Sequence, residues 1–339
     1  MARDDRRAAA ERTAGERAGG ERAGAAGGGR GARRARPKKG WGARDAALAP
    51  RASFEELEIH TSDGASLRAL VDDPPDGVPL RGTLVLAHAM FARKSSFGRR
   101  DRPGLSSALA ARGFRTVAFD FRGHGDSAPP RSGGAPGYDD FVRHDLPAVV
   151  EYARARGEGL PVLAVGHSLG GHVALAAQGT GRIAVDAVVA VAANLWLPEL
   201  ERSRLRWGVK LALARAASVV SARAGGIPAR RLRIGSDDAA DRWFRALLGV
   251  ATRGAWKSAD ARDDYFAALG EVRVPVAAVL GDRDRINCHP AAGEAFARRC
   301  SGPVEVFRAP VGHMGLVTSA RGHGAVLAAV AWAIDQARP

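Results

Sequence analysis

The chain has 339 residues, 46% apolar and 26% charged, which leaves room for one large domain or two modest ones and excludes wholesale disorder or a collagen-like fibre. Its two cysteines, Cys288 and Cys300, are too few for a disulfide framework and fit a reducing, cytoplasmic compartment, and no uncharged apolar run reaches the roughly 18 residues of a membrane span. The unusual figure is a net charge of +15, which by itself points to nucleic acid or an acidic membrane as partner.

That charge is unevenly placed. Residues 1–44 hold 13 of the 51 Lys and Arg but only five of the 36 acids, so more than half of the excess sits there. The stretch is mostly Ala, Gly and Arg, with Trp41 its one large apolar residue apart from Met1. It offers no apolar surface to offset ordering entropy, so residues 1–45 are expected to be a disordered basic tail. Acids at positions 4 and 5 with no apolar stretch behind them do not fit a secretory signal. As a solvated appendage the tail needs no partner. As a tether it would contact an anionic membrane or nucleic acid.

The folded domain is expected over 52–339. FEELEIH (54–60) and SLRALV (66–71) alternate as strands do, with Asp63-Gly64 as the hairpin turn. Continuous apolar runs then recur at 83–89, 115–121, 161–168, 185–193, 274–281 and 303–309. Such runs mark strands buried on both faces of a parallel sheet. Helical patterns at 103–112, 138–157, 169–179, 290–299 and 321–336 lie between them. The alternation predicts an α/β fold, a doubly wound and mostly parallel sheet. About 196–270 is far longer than a crossover needs and is rich in helix formers, so it is read as an inserted helical cap.

Gly166-His167-Ser168-Leu169-Gly170-Gly171 follows a buried strand and opens a helix. G-x-S-x-G in that setting is a nucleophile elbow, in which Gly166 and Gly170 keep the crowded turn clear and Ser168 points out above the sheet's carboxyl edge. A serine nucleophile needs a base, and the base an orienting acid. Both follow in order: Gly281-Asp282-Arg283-Asp284 after one strand, and Val311-Gly312-His313-Met314-Gly315 after the next. His313 is the candidate base, and Asp282 and Asp284 are the candidate acids. The backbone N–H of Leu169 is one candidate donor to a developing oxyanion.

With these motifs in this order, residues 54–337 resemble the α/β-hydrolase fold family. The resemblance implies an acid three residues after the strand-end glycine, hence Asp284, with Asp282 as runner-up. It also implies a second oxyanion donor, the N–H of Met90, from the loop His88-Ala89-Met90-Phe91, where alanine stands in place of the family's usual glycine. His88 is then a structural hydrogen-bonder. Asp120-Phe121-Arg122-Gly123-His124-Gly125-Asp126-Ser127 is a second family signature whose residues fix a loop, so neither His124 nor Ser127 is expected to react. Within the family the chain looks most similar to predicted hydrolases near the serine aminopeptidases, lysophospholipases and monoacylglycerol lipases. Gly226-Ile227-Pro228 and Asp241-Arg242-Trp243-Phe244 in the cap carry that similarity.

The chemistry expected is acyl transfer through an acyl-enzyme on Ser168, with a small-molecule ester as substrate and neither cofactor nor metal. Residues 195–220 interleave leucine, valine and tryptophan with arginine and lysine. Such a cap could cover an acyl chain or rest on an anionic membrane, so a hydrophobic or lipid-like ester is favoured over a peptide. An acyltransferase on the same scaffold is the alternative. A basic-tailed binding protein with a silent hydrolase domain is the third reading.

Overall fold

The computed structural model describes residues 54–128 and 134–337; the basic tail lies outside them. Ten strands are formed: β1 (Phe54–His60), β2 (Ser66–Asp72), β3 (Gly82–Ala87), β4 (Phe114–Phe119), β5 (Val162–His167), β6 (Ala187–Val191), β7 (Gly226–Ile227), β8 (Ala239–Ala240), β9 (Val276–Gly281) and β10 (Val304–Ala309). The helices are α1 (Leu105–Ala110), α2 (Tyr138–Asp140), α3 (Leu146–Ala155), α4 (Leu169–Gly179), α5 (Arg204–Ala224), α6 (Asp241–Arg253), α7 (Tyr265–Ala268), α8 (Pro290–Ala297), α9 (Gly315–Thr318) and α10 (Ala320–Gln336). Eight strands form one sheet in the order β1-β2-β4-β3-β5-β6-β9-β10, and β7 pairs with β8 in the cap. All neighbours from β4 to β10 run parallel; β2 is antiparallel to both β1 and β4.

Period-two alternation divides the interior. Val85, Ala164, Val188 and Ala278 face one side of the sheet, where they pack with Val149 of α3 and Val173 of α4. Their neighbours Leu84, Leu163, Val189 and Ala277 face the other, against Leu105 and Leu109 of α1 and Val326 and Val330 of α10. Because both faces are covered, every residue of β3, β5, β6 and β9 is buried, which is why these strands read as unbroken apolar runs. The runs at 83–89, 115–121, 161–168 and 185–193 overshoot their strands by one or two residues at the carboxyl ends, whereas those at 274–281 and 303–309 end with them. His88, Ala89, Ser168, Ala192 and Ala193 have left the ladder to form the loops above it.

The predicted helix at 138–157 is interrupted by a π-type turn over Phe141–Asp145. The extra residue turns Asp145 into the interior, where it accepts hydrogen bonds from the Arg122 backbone N–H (2.9 Å) and Nε (2.6 Å). Arg122 also reaches Asp63 in the β1–β2 turn (2.6 and 2.9 Å), so one buried guanidinium ties two loops to the helical segment that carries Asp145.

Asp72 ends β2 fully buried, and neither carboxylate oxygen has a hydrogen-bond partner. Burial pushes its pKa up to about 6; the hydroxyl of Ser107 opposes the shift, the charge of Asp73 adds to it, and Ser106 opposes it. The folded-state value exceeds that of an unfolded aspartate, about 3.9, so this group favours folding below pH 4 and loses that contribution as pH rises through 6. Asp72→Asn is therefore expected to stabilise the protein at pH 8 by on the order of 1 kcal/mol and to leave it unchanged near pH 4. Thermal unfolding at the two pH values checks this.

Candidate active site

Strand β5 ends at His167, α4 begins at Leu169, and Ser168 alone makes the turn between them, with φ 52° and ψ −109°. A non-glycine residue there costs about 1–3 kcal/mol and persists only where its surroundings impose it. Here they do. The Ser168 N–H donates to Val191 O (2.8 Å) and the Gly170 N–H to His88 O (3.1 Å), anchoring the turn to β6 and to the loop after β3. A Cβ on Gly166 would lie 2.3 Å from the Gly170 carbonyl carbon, and one on Gly170 would lie 2.2 Å from Ala87 O. Both elbow glycines are therefore demanded by backbone-to-backbone approach.

Asp284 and His313 come from the loops after β9 and β10, and the His313 Nδ1–H donates to Asp284 Oδ2 at 2.5 Å. Asp284 is 4% exposed. Burial pushes its carboxyl up, but the hydrogen bond and charge of His313 and the backbone N–H groups of Cys288 and Asn287 outweigh that and hold it below the usual carboxylate range. Asp282 turns away to pair with Arg308 (2.6 Å) at the surface. Of the two candidate acids, only Asp284 meets the histidine. Ser168 and His313 line one cavity. No hydrogen bond joins their side chains.

No acceptor among the described residues takes the N–H of Met90 or Leu169. Two unclaimed donors thus flank the serine. His88 is fully buried with both ring nitrogens engaged: Nδ1–H donates to Ala89 O (2.8 Å), and Nε2 accepts from the Phe121 N–H (3.1 Å). Burial lowers its pKa to about 3, so it stays neutral and holds the loop. His124 donates from Nε2 to Met90 O (3.1 Å), and the Ser127 hydroxyl donates to Asp120 O (2.7 Å), so both brace loops.

Two positioning contacts were not legible in the sequence. His167, one residue before the serine, donates from Nε2 to His313 O (3.2 Å) and so ties the histidine loop to the elbow. Asp237, in the cap, accepts from Arg93 Nε (3.0 Å) and Nη2 (3.1 Å) and from the Gly125 N–H. The N–H groups of Ser236 and Asp237 donate to Phe91 O (2.8 and 3.2 Å), and Gly235 sits so close that a Cβ would lie 2.3 Å from Phe91 Cβ. The cap is thereby latched to the loop that carries Met90. Such partners lie far apart in sequence, and no local pattern marks them.

The cavity between cap and sheet edge measures about 1120 Å³. Leu213, Val220, Phe244, Leu247 and Leu248 make its cap side apolar, and neither Asp nor Glu is among its lining residues. Among the described residues no group of three or more His, Cys, Asp or Glu is placed to hold a metal ion. No helix there is long and apolar enough to cross a membrane.

A serine on a strand–helix elbow, facing a histidine–carboxylate pair above a sheet of this order, defines an α/β-hydrolase. The family model described as serine aminopeptidase, S33, matches residues 79–308, and the chain belongs to this hydrolase family. A comparison with curated protein sequences found no match. Among solved structures, Est1E from Butyrivibrio proteoclasticus with ferulic acid bound is 16% identical, with a TM-score of 0.57 over 83% of this chain and 98% of its own. The Pyrococcus furiosus esterase PF2001 is 17% identical, with a TM-score of 0.52 over 83% of this chain and 89% of its own. A monoacylglycerol lipase from Paleococcus ferrophilus is 17% identical, with a TM-score of 0.51 over 84% of this chain and 99% of its own. At these identities the likeness is one of fold.

Removing the latch should free the cap locally. Asp237→Ala strips Arg93 and the Gly125 N–H of their shared acceptor, and a charge-assisted hydrogen bond contributes about 1.5–3 kcal/mol. Tryptic cleavage at the exposed Arg230, Arg231 and Arg233 is expected to speed up by at least about tenfold. A digestion time course read by mass spectrometry measures it, with cleavage at Arg273 as the internal reference.

Proposed function

We propose that the protein is a serine hydrolase of carboxylic esters with a sizeable apolar acyl group, working through an acyl-enzyme on Ser168. The observation that carries this reading is convergence on one cavity. Ser168, His313 and Met90 line one space with apolar walls, Asp284 is bonded to His313 behind it, and the N–H groups of Met90 and of Leu169, next to the serine, are unclaimed.

In this reading His313 takes the Ser168 proton at Nε2 as Oγ attacks the ester carbonyl. Asp284, already bonded to Nδ1–H, fixes the tautomer that leaves Nε2 free and stabilises the imidazolium that forms. The N–H groups of Met90 and Leu169 receive the oxyanion. His313 returns the proton to the leaving alcohol, and the same steps repeat with water to release the acid. Preorganised donors matter because they need no reorientation when charge develops.

Family membership by itself admits a peptide with a free amino terminus as substrate. An ammonium group in the cavity would want a carboxylate, and no acid lines it. A neutral ester with an apolar acyl chain meets no such penalty, and the cap side supplies the apolar wall. An alcohol in place of water would make the same acyl-enzyme a transferase, and the geometry of the first half-reaction is common to both. A role in nucleic-acid binding with a silent domain would leave the paired Asp284 and His313 and the strained Ser168 without a use.

Fluorophosphonate labelling and turnover of p-nitrophenyl esters of increasing acyl length test the proposal. Wild type should label at one site, Ser168→Ala should not, and turnover should fall by about 10⁵–10⁶. Failure of the wild type to label or to hydrolyse any ester would overturn the reading. Asp284→Asn is expected to lower kcat by about 10⁴, since it permits the wrong histidine tautomer. Asp282→Asn should change kcat by less than about twofold, because Asp282 is bound to Arg308 at the surface.

A further inference from the structure

Helix α5 of the cap turns much of its aliphatic surface outward. Its buried residues are Lys210, Ala214 and Ser221, and the two polar ones are satisfied internally. Lys210 Nζ lies 3.0 Å from a Glu201 carboxylate oxygen, and the Ser221 hydroxyl donates to Asp241 at 2.8 Å. Its exposed side carries Leu205, Val209, Leu213, Val219 and Val220, with Leu205 81% exposed. At 100° per residue these five fall within about 120° of the helix surface, clear of the three buried positions. From Leu205 to Val220 the stripe runs about 22 Å along the axis. Leu232 and Ile234 extend it, so seven of the eight large exposed apolar side chains among the described residues belong to 205–234. A patch of this kind on a solvated surface marks a contact.

Charge says with what. Residues 204–234 contain eight basic side chains and no acid. Arg206 and Lys210 pair with Glu201, while Arg204, Arg215, Arg223, Arg230, Arg231 and Arg233 make no ion pair among the described residues. A second copy docked on this face through a two-fold axis would set arginine against arginine. Single-stranded nucleic acid favours aromatic platforms, and the exposed residues here are aliphatic. An apolar stripe rimmed by free guanidinium groups matches the boundary between acyl chains and anionic headgroups. Leu213, Val220, Leu232 and Ile234 also line the cavity, so the patch is continuous with the cavity wall.

We propose that the cap face formed by α5 and the Arg230–Ile234 loop docks on anionic lipid bilayers, with Leu205, Val209 and Val219 entering the acyl region and the arginines binding headgroup phosphates. The docked face is then continuous with the cavity wall. This surface shares no residue with the basic tail, and its docking does not depend on what Ser168 does.

Both cysteines are buried, so a cysteine introduced at the surface can be labelled selectively. Full-length Leu205→Cys carrying an environment-sensitive nitrobenzoxadiazole is titrated with vesicles of phosphatidylcholine alone or mixed with phosphatidylglycerol. Arg273→Cys, exposed at the opposite edge of the sheet just before β9, serves as reference. The expected result is a blue-shifted, brighter emission from position 205 with the anionic vesicles only, and none from 273. Adding R204Q, R215Q and R223Q should weaken the response about a hundredfold, at about fivefold per arginine. Three outcomes overturn the proposal. Protein that sediments with anionic vesicles without an emission change at 205 is held by its tail. An equal response to neutral vesicles removes the role of the arginines. A blue shift without lipid that grows with protein concentration makes the face a contact between copies.

Discussion

The arrangement depends on one strained residue. Ser168 sits at φ 52°, and nothing in its own chemistry favours that conformation. It is held by its neighbours: β5 ends and α4 begins on either side, Val191 O takes its N–H, and backbone packs on both elbow glycines. The strain has a use. A relaxed turn would let the serine lie along the sheet edge, whereas this one raises Oγ into the cavity and leaves the Leu169 N–H unclaimed beside it. The cost is met by the central strands, whose residues are buried throughout and resist adjustment.

Around this fixed point the other groups are positioned by contacts that reach across the chain. The histidine loop is tied to the elbow through His167, and the loop of Met90 is held from below by His124 and from above by the cap. That loop therefore has two supports, one in the sheet domain and one in the inserted segment. In the proposed mechanism this brace couples the Met90 N–H, as oxyanion donor, to the position of the cap. Asp237 is the joint, since its carboxylate alone joins Arg93, Gly125 and the cap.

The sheet was legible because burial on both faces writes itself as unbroken apolar runs, and the loops above it because glycine and the reacting residue types stand at strand ends. The runs at 161–168 and 185–193 overshot their strands, since residues leaving the ladder toward the site are as buried as those within it. Spacing implied Asp284 but left Asp282 beside it. What separates them is direction: Asp284 turns in to His313 and Asp282 out to Arg308, a difference of two residues in one tight turn. The latch at Asp237 and the brace at His167 were invisible, because a hydrogen bond between residues 144 or 146 positions apart leaves no local trace.

The cap shows the limit of pattern most plainly. Its interleaved leucines, valines and arginines are what an ordinary surface helix presents, and the usual inference sends the apolar stripe inward. Here Glu201 reverses it. By pairing with both Arg206 and Lys210 it makes the polar side the one that can be buried, and Ser221 with Asp241 does the same about three turns on. Orientation is thus decided by acids outside the helix, Glu201 before it and Asp241 after it. The same pairing redistributes the meaning of the charge. The excess outside the tail is not spread over the domain, because six unpaired arginines gather between 204 and 233 around an apolar stripe continuous with the cavity wall. Two features of composition, a high net charge and an apolar insertion, become one surface once the helix is seen to face outward.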